Sequence, residues 1–547
     1  MFRRVKIGIE NATSYSVAAA YLLFLVSFAF AQATPPKLNA QQWQSDLQFM
    51  AEQMPKQHPN LYRRMPKADF DAAVKSLNDR IPSASQDEIL AGFMRIVAMV
   101  KDGHTGFFPM PYFNSGVIPL RFYKFDDGLF VQRASQAYHD LVGAKVIRIG
   151  KLAADEALRQ AGTLAGADNE MGISENAPLF LSIPEIWRGL GIVEQGQDPS
   201  VVFEIGGKER TVTFKPAGSV NDLIHPPADW ADAAKTTPLY LKHPDDIYWF
   251  EYLKDQKIVY IQQNAVANKQ DEPVAKFYER VIEFVAANPV DKLVIDLRRN
   301  DGGNNGLNRP VVIGLIKSKI NERGKLFVIT GRMTFSAAQN FVNEIEKYTN
   351  ATFVGEPTAG RPNHYGDGRP IPLPNSHLSV QASTLYWQDM DPRDNRKWTA
   401  PEIAATLTSA DYRDGKDPAL DAVINYRPSS SLQGIIDAAR DDKDASNFVK
   451  AYDAFKADPR HRYVETETTL NRVGYSLLQN KRVADAIEIF KLNVRDFPGS
   501  ANAFDSLGDG YAAAGNREEA IKAYEKALAI DPNFASSASS LKKLKGN

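Results

Sequence analysis

The chain has 547 residues, 44% of them hydrophobic and 24% charged, and a net charge of −1. That balance suits several ordinary globular domains and argues against nucleic acid as a partner. A cysteine count of zero excludes disulfides, a thiol nucleophile and lipid attachment to cysteine, and leaves the fold to be held by burial alone.

Arg3, Arg4 and Lys6 precede an apolar run from Val17 to Phe30 that ends in Ala29-Phe30-Ala31. This pattern reads as a signal peptide over 1–31, with the mature protein beginning at Gln32 and exported to the periplasm or secreted. Left uncleaved, the same run would be a membrane anchor, and only then is a membrane partner expected. From 37 to 105 the pattern is that of a small helical domain. Trp43, Leu47 and Met50, then Phe70, Ala73 and Leu77, then Ile89, Phe93, Ile96 and Val97 recur at helical spacing. The domain ends in Val100-Lys101-Asp102-Gly103-His104-Thr105-Gly106, whose glycines mark a turn and put His104 on a rigid loop.

Residues 106–245 carry short strand-like runs, among them Gly128 to Val131 and Lys145 to Gly150, and a helix from Ala153 to Arg159. Their order resembles a PDZ-like module, which would add a peptide as an extra strand to a sheet edge. Residues 160–200 have no place in a compact module of that kind, so an ordinary β subdomain shaping a cleft is the equal alternative.

Residues 246–427 read as an α/β core. A strand from Ile258 to Gln262, a helix from Val274 to Ala287 and a strand from Leu293 to Leu297 give the rhythm of βαβ crossovers, with ligands met at the carboxyl ends of the strands. The Leu293 strand ends in the polar, glycine-paired stretch Arg298 to Gly303. A second buried strand, Leu326 to Ile329, leads through Thr330-Gly331 to a helix that begins at Ser336. Ser336 therefore stands where a strand's carboxyl end becomes a helix amino terminus. First-turn N–H groups and the helix dipole there favour an anion forming beside the hydroxyl, which is what acyl transfer requires. The same position also suits a plain N-cap serine. No Gly-Lys-Ser/Thr follows the glycine-rich turn and no His-Glu-x-x-His occurs, so neither a nucleotide, another cofactor nor a metal is expected.

After Ala422-Val423-Ile424, the stretch Arg427-Pro428-Ser429-Ser430-Ser431 opens a linker and helix over 428–465. Over 466–547, Leu470, Gly474, Leu477, Ala486, Phe490 and Pro498 recur by class as Phe504, Gly508, Tyr511, Ala520, Tyr524, Ala527 and Pro532. The shift of about 34 residues resembles tetratricopeptide repeats, all-α units that either bind a protein partner or stabilise the carboxyl end. Two copies fall short of the usual three. Gly434 to Phe455 is therefore expected to pack on one side and Ser536 to Lys545 to cap the other.

Three segments carry a third resemblance: Asp296-Leu297-Arg298-Arg299-Asn300-Asp301-Gly302-Gly303, Ser336-Ala337-Ala338-Gln339 and Gly355-Glu356-Pro357-Thr358-Ala359-Gly360. In this order they resemble the tail-specific, C-terminal-processing serine peptidase family. The resemblance implies an α/β core of the ClpP/crotonase-like kind, Ser336 as nucleophile and an oxyanion hole from the amides of Ala337 and Gly302 or Gly303. Most of the family carries a lysine base where this chain has Arg361, and a guanidinium cannot take a proton from serine. In the tricorn-core-like branch an Asp-x-His-Ser/Thr turn supplies the base, and His104 occupies that place. A histidine base usually has a third group to hold it. That branch draws an acidic residue from the segment before a Pro-Asp-Ile ending, which Pro401-Glu402-Ile403 resembles, so Asp394 is the expected third residue and Asp391 the next choice. Gln339 stands where the family has glutamate. The sequence thus reads as an exported serine endopeptidase acting on a peptide or protein substrate; the alternative is a silent peptidase-fold protein that binds peptides or hydrophobic ligands.

Overall fold

A computed structural model describes residues 35–428, 431–441 and 444–546. The expected signal peptide, its cleavage after Ala31 and the alternative anchor all lie outside the described residues. Among the described residues no helix is long and apolar enough to cross a membrane. They form two compact units, one running to Pro401 and taking in Ala405–Ile424, the other made of Glu402–Ala404 and the residues from Asn425 onward.

The first unit opens with the helices Ala40–Gln57, Lys67–Arg80 and Gln86–Ala98. Asn39 and Gln42 cap the first reciprocally, and Ser85 and Glu88 do the same for the third. Each such cap satisfies two end N–H groups and is worth about 1 kcal/mol. The apolar stripes read from the sequence face inward: Trp43, Leu47, Phe70, Phe93 and Val97 are almost fully buried. Next, the strands Leu120–Phe125, Gly128–Ala134, Lys145–Ile149, Ser200–Ile205 and Lys208–Thr213 pair antiparallel in that order. The stretch 160–200 holds the end of the helix Ala154–Gly162 and the whole of the helices Glu170–Phe180 and Pro184–Gly189.

The boundary drawn from sequence at 105 runs through one core, and the one at 245 divides two clusters save for a hairpin near residue 375. One continuous cluster joins Trp43 and Phe93 of the helices to Val131 and Phe203 of the sheet, and takes in Ile371, Leu378 and Val380 from far along the chain. The reason is that Ser379–Ala382 pairs with both Gly106–Phe107 and Arg369–Pro372, which carries that hairpin back to the amino-terminal helices.

A second cluster belongs to the α/β core. Tyr248–Leu253 runs antiparallel to Ile258–Gln263, after which Lys292–Asp296, Leu326–Thr330 and Thr352–Gly355 follow in parallel. Parallel strands need crossovers, and the helices Val274–Ala287, Asn308–Lys317 and Ala337–Tyr348 supply them. Leu293, Ile295, Val328 and Phe341 lie at or near zero exposure, each contributing about 1.5–3 kcal/mol by leaving water. This core fixes the carboxyl ends of the strands, and there the candidate residues gather.

In the second unit the helices Glu467–Gln479 with Val483–Asp496, and Ala501–Ala513 with Arg517–Ile530, pack as pairs. A Cβ on Gly474 would lie 2.3 Å from the Phe490 ring, and one on Gly508 would lie 2.5 Å from the Tyr524 ring. Glycine at both places is what lets each pair approach. Phe448 and Tyr452 of the helix Ala445–Ala457 pack with Leu470 and Ile489 on one side. On the other, the helix Ala535–Lys545 buries Ser537, whose hydroxyl donates to Asp505 at 2.6 Å.

Candidate active site

Ser336 immediately precedes the helix Ala337–Tyr348 and has φ 51° and ψ −126°. A left-handed φ on a residue with a Cβ costs about 1–3 kcal/mol and persists only where the surroundings impose it. The surroundings here are specific. Thr334 Oγ1 donates to the Leu297 carbonyl at 2.8 Å, the Phe335 N–H donates to the Asn300 carbonyl at 3.2 Å, and the Gly331 N–H donates to Thr334 Oγ1 at 3.0 Å. The serine turn is thereby tied to the turn that ends the neighbouring strand. The plain N-cap alternative does not hold, because the Ser336 side chain makes no cap hydrogen bond. Its Oγ lies instead 2.9 Å from His104 Nε2, 232 residues away in sequence.

The two glycines sit against this serine. A Cβ on Gly302, at φ +127°, would lie 2.6 Å from Ser336 Cβ and 3.1 Å from the Ala337 nitrogen. A Cβ on Gly303, at φ +135°, would lie 2.3 Å from the Val266 carbonyl oxygen. Their amides differ. The Gly302 N–H donates to Asn300 Oδ1 at 3.0 Å, so it is already engaged. Val266 bridges to Gly303 by accepting from Asn304 at 2.8 Å and donating to the Gly302 carbonyl at 2.7 Å, which leaves the Gly303 N–H out of the pairing. The Ala337 N–H, first in its helix, has no intrahelical acceptor.

His104 is held by its loop. Asp102, 1% exposed, accepts the His104 main-chain N–H with Oδ1 at 3.0 Å. Its Oδ2 accepts from Thr105 Oγ1 at 2.5 Å, Ser383 Oγ at 2.6 Å and His58 Nε2 at 3.1 Å. His58 Nδ1 accepts the Asn60 N–H at 3.1 Å, which assigns the ring proton to Nε2 and makes His58 a donor to Asp102. Burial pushes the Asp102 carboxyl up, but the His58 hydrogen bond, the nearby His104 and the two hydroxyls outweigh it and hold the group well below the usual carboxylate range. On the loop's other side Asp168 accepts from the Gly103 N–H and from Arg64 Nη1, both at 3.3 Å.

The imidazole stacks on Phe335 at 4.4 Å between ring centres and lies parallel to His364 at 5.9 Å. Burial lowers its pKa; Asp102 opposes that and His364 reinforces it, with a net shift downward. Neutral imidazole is therefore the favoured form, able to accept a proton at Nε2. His104 Nδ1 is buried and has no hydrogen-bond partner among the described residues.

Asp394 does not fill the third place. Its carboxylate is tied to Arg396 at 2.8–3.1 Å, and Arg396 in turn grips Glu346 at 2.8 and 2.9 Å. Asp391 is bound to its neighbour Arg393. The correction has a simple cause: in a loop with several carboxylates and two arginines, the guanidiniums claim the acids. Asp389 of the same loop accepts instead from Asn340 and Asn343 on the serine's helix. Arg361 donates through Nε to the Asp168 carbonyl at 3.0 Å, bracing the residue that holds Gly103. Gln339 is fully buried and its amide donates to Asn343 Oδ1 at 2.8 Å and Thr399 Oγ1 at 3.0 Å. A carboxylate has no proton to give to Asn343 Oδ1, a contact that the amide makes. His58, Ser383 and His364 escape the sequence reading. Asp102, though, stands inside the turn that singles out His104, and its short spacing to that histidine is a readable signal.

Among solved structures, the chain is similar to mature CPAF complexed with lactacystin, with TM-score 0.50 and 13% identity over 71% of this chain and 99% of that one. A mutant of CPAF gives TM-score 0.51 and 12% identity over 71% and 98%. The chain has the CPAF fold. Identity this low speaks of fold alone. A family model described as a tetratricopeptide repeat matches residues 501–534, which are the helices Ala501–Ala513 and Arg517–Ile530 with the turn that follows. No curated protein matches the sequence.

Proposed function

We propose that the protein is an exported serine endopeptidase in which Ser336 is the nucleophile and His104 the general base and acid. The observation that carries this reading is the 2.9 Å approach of His104 Nε2 to a serine hydroxyl released from capping and held at positive φ. In this mechanism Ser336 Oγ attacks the scissile carbonyl carbon as its proton passes to His104 Nε2. The Gly303 and Ala337 N–H groups receive the resulting oxyanion, with the positive end of the following helix beside it. The imidazolium returns its proton to the leaving amine, and a water molecule then repeats the sequence on the acyl-enzyme. The three motifs shared with tail-specific peptidases and the CPAF fold support the same reading. The charged and apolar start of the chain supports export, and the repeat segment supports a protein partner.

One observation favours a second reading, a silent protein that binds peptides or hydrophobic ligands in the same cleft: His104 Nδ1 has no acceptor to hold its tautomer. Labelling with a fluorophosphonate probe separates the two. The enzyme reading expects label on the wild type and none on Ser336→Ala. An unlabelled wild type that cleaves no peptide would transfer the assignment to the silent binder.

A further inference from the structure

We propose that a second cavity in the first unit, of about 480 Å³, binds an organic acid through Arg121 and Arg299. The cavity lies between the strands Leu120–Phe125 and Gly128–Ala134 and the carboxyl ends of the central strands, and none of Ser336, His104, Gly302, Gly303 and Ala337 lines it. Five arginines do. Three of them are matched: Arg133 pairs with Asp232 at 2.6 Å, Arg298 is held by Asp296 and Asp417, and Arg332 by Glu356. The side chains of Arg121 and Arg299 make no hydrogen bond or ion pair among the described residues.

Leaving two cations unmatched in a cleft is expensive, because a desolvated charge without a counter-ion is strongly disfavoured. The arrangement adds to the cost. Arg121 stands directly opposite Arg133 across an antiparallel pair, a position where like charges destabilise. Arg299 feels both of these cations, and burial with their repulsion lowers its pKa. The acid inside the cavity, Glu175, attracts Arg121 and Arg299, but burial outweighs the pull of these arginines and Arg332 and raises its pKa, which favours its neutral form; Asp245 stands exposed at the rim. The remaining wall mixes polar side chains, among them Gln132, Asn176 and His225, with an apolar and aromatic part made by Leu179, Leu223, Met333 and the rings of Tyr123 and Tyr240.

Two guanidiniums above such a wall suit a carboxylate or phosphate on an apolar body. Guanidinium offers paired donors that match either anion, and the volume falls within the usual range for small-molecule pockets. The same chemistry comes from a free small molecule or from an acidic side chain of a bound peptide.

The test is calorimetric titration of the full chain with phenyl phosphate and phthalate, with neutral benzamide as control. The expected result is binding of the anions and not of benzamide, weakened at least tenfold in Arg121→Gln and in Arg299→Gln and retained in Arg121→Lys. Because each glutamine variant removes a repelled cation, its melting temperature without ligand should equal or exceed that of the wild type. Displacement of phenyl phosphate by a glutamate-containing tetrapeptide but not by its glutamine counterpart assigns the site to peptide side chains; no displacement by either assigns it to a free acid. Failure of the wild type to bind either anion, or binding unchanged in the Arg121→Gln/Arg299→Gln double variant, overturns the proposal.

Discussion

Asp102 takes the main-chain N–H of His104 at 3.0 Å and leaves the imidazole of the same residue without a carboxylate. The acid thus fixes where the histidine's backbone lies, while Phe335 and His364 set the plane of its ring. Orientation here comes from packing and loop geometry rather than from a hydrogen bond to Nδ1.

His104→Ala should lower kcat/KM by about 10³-fold or more, since it removes the proton acceptor that the described residues place at Ser336 Oγ and leaves binding and the oxyanion donors. In the wild type, kcat/KM should rise with pH along a limb below the ordinary histidine value of about 6.5. The sign follows from burial: a lowered pKa keeps the imidazole neutral, and so able to accept a proton, at more acid pH. Initial rates on a peptide substrate across the acid range check both statements.

Asp102→Asn should lower both activity and stability. The carboxylate accepts from four donors, and an amide would turn an NH₂ group towards some of them. A hydrogen bond to an ionised group is worth about 1.5–3 kcal/mol, and the variant weakens several of them at once. Because the folded-state pKa lies far below that of the unfolded chain, the contribution is complete above about pH 4 and is lost as pH falls further. Urea midpoints measured from pH 7 downward should show the gap between wild type and variant closing at acid pH.

Gly302→Ala should abolish activity, because its Cβ would lie 2.6 Å from Ser336 Cβ on a backbone at φ +127°. Strain of about 1–3 kcal/mol is expected beside the displaced serine. Fluorophosphonate labelling compared with the melting temperature distinguishes a folded, unreactive protein from an unfolded one.

Arg361→Ala should keep measurable activity, with a drop of about tenfold in kcat and little change in KM. The guanidinium acts at one remove, on the Asp168 carbonyl, and Asp168 still holds the Gly103 N–H and Arg64. Steady-state kinetics on the variant would detect a complete loss, which the relay does not predict.

The sequence is informative where chemistry is local. Apolar runs that end in glycine-rich turns describe the strands Lys292–Asp296 and Leu326–Thr330, and the residues after Gly331 announce a serine at a helix start. Helical stripes and small Gly positions likewise mark the amino-terminal helices and the repeats. What escapes the sequence is contact between distant segments. Asp102 meets His58 and Ser383 across 44 and 281 residues, and the hairpin that returns Ser379–Ala382 to Gly106–Phe107 carries Ser383 to it. Asp394 fails for the complementary reason: its loop offers Asp389, Asp391 and Asp394 within six positions, and pattern alone does not say which acid an arginine claims.

The return of that hairpin also sets an order of events. Asp46, fully buried in the first helix, receives the N–H groups of Asn375 and Ser376, and Gln57 donates to the carbonyls of Arg369 and Ala382. A chain that has emerged only as far as residue 360 therefore lacks the N–H groups that Asp46 accepts and the apolar side chains Ile371, Leu378 and Val380 that join the same core. Contacts of such sequence separation form late and slowly. The serine turn is complete in sequence before residues 369–382, so the first helix depends for these bonds on a segment that follows the candidate nucleophile.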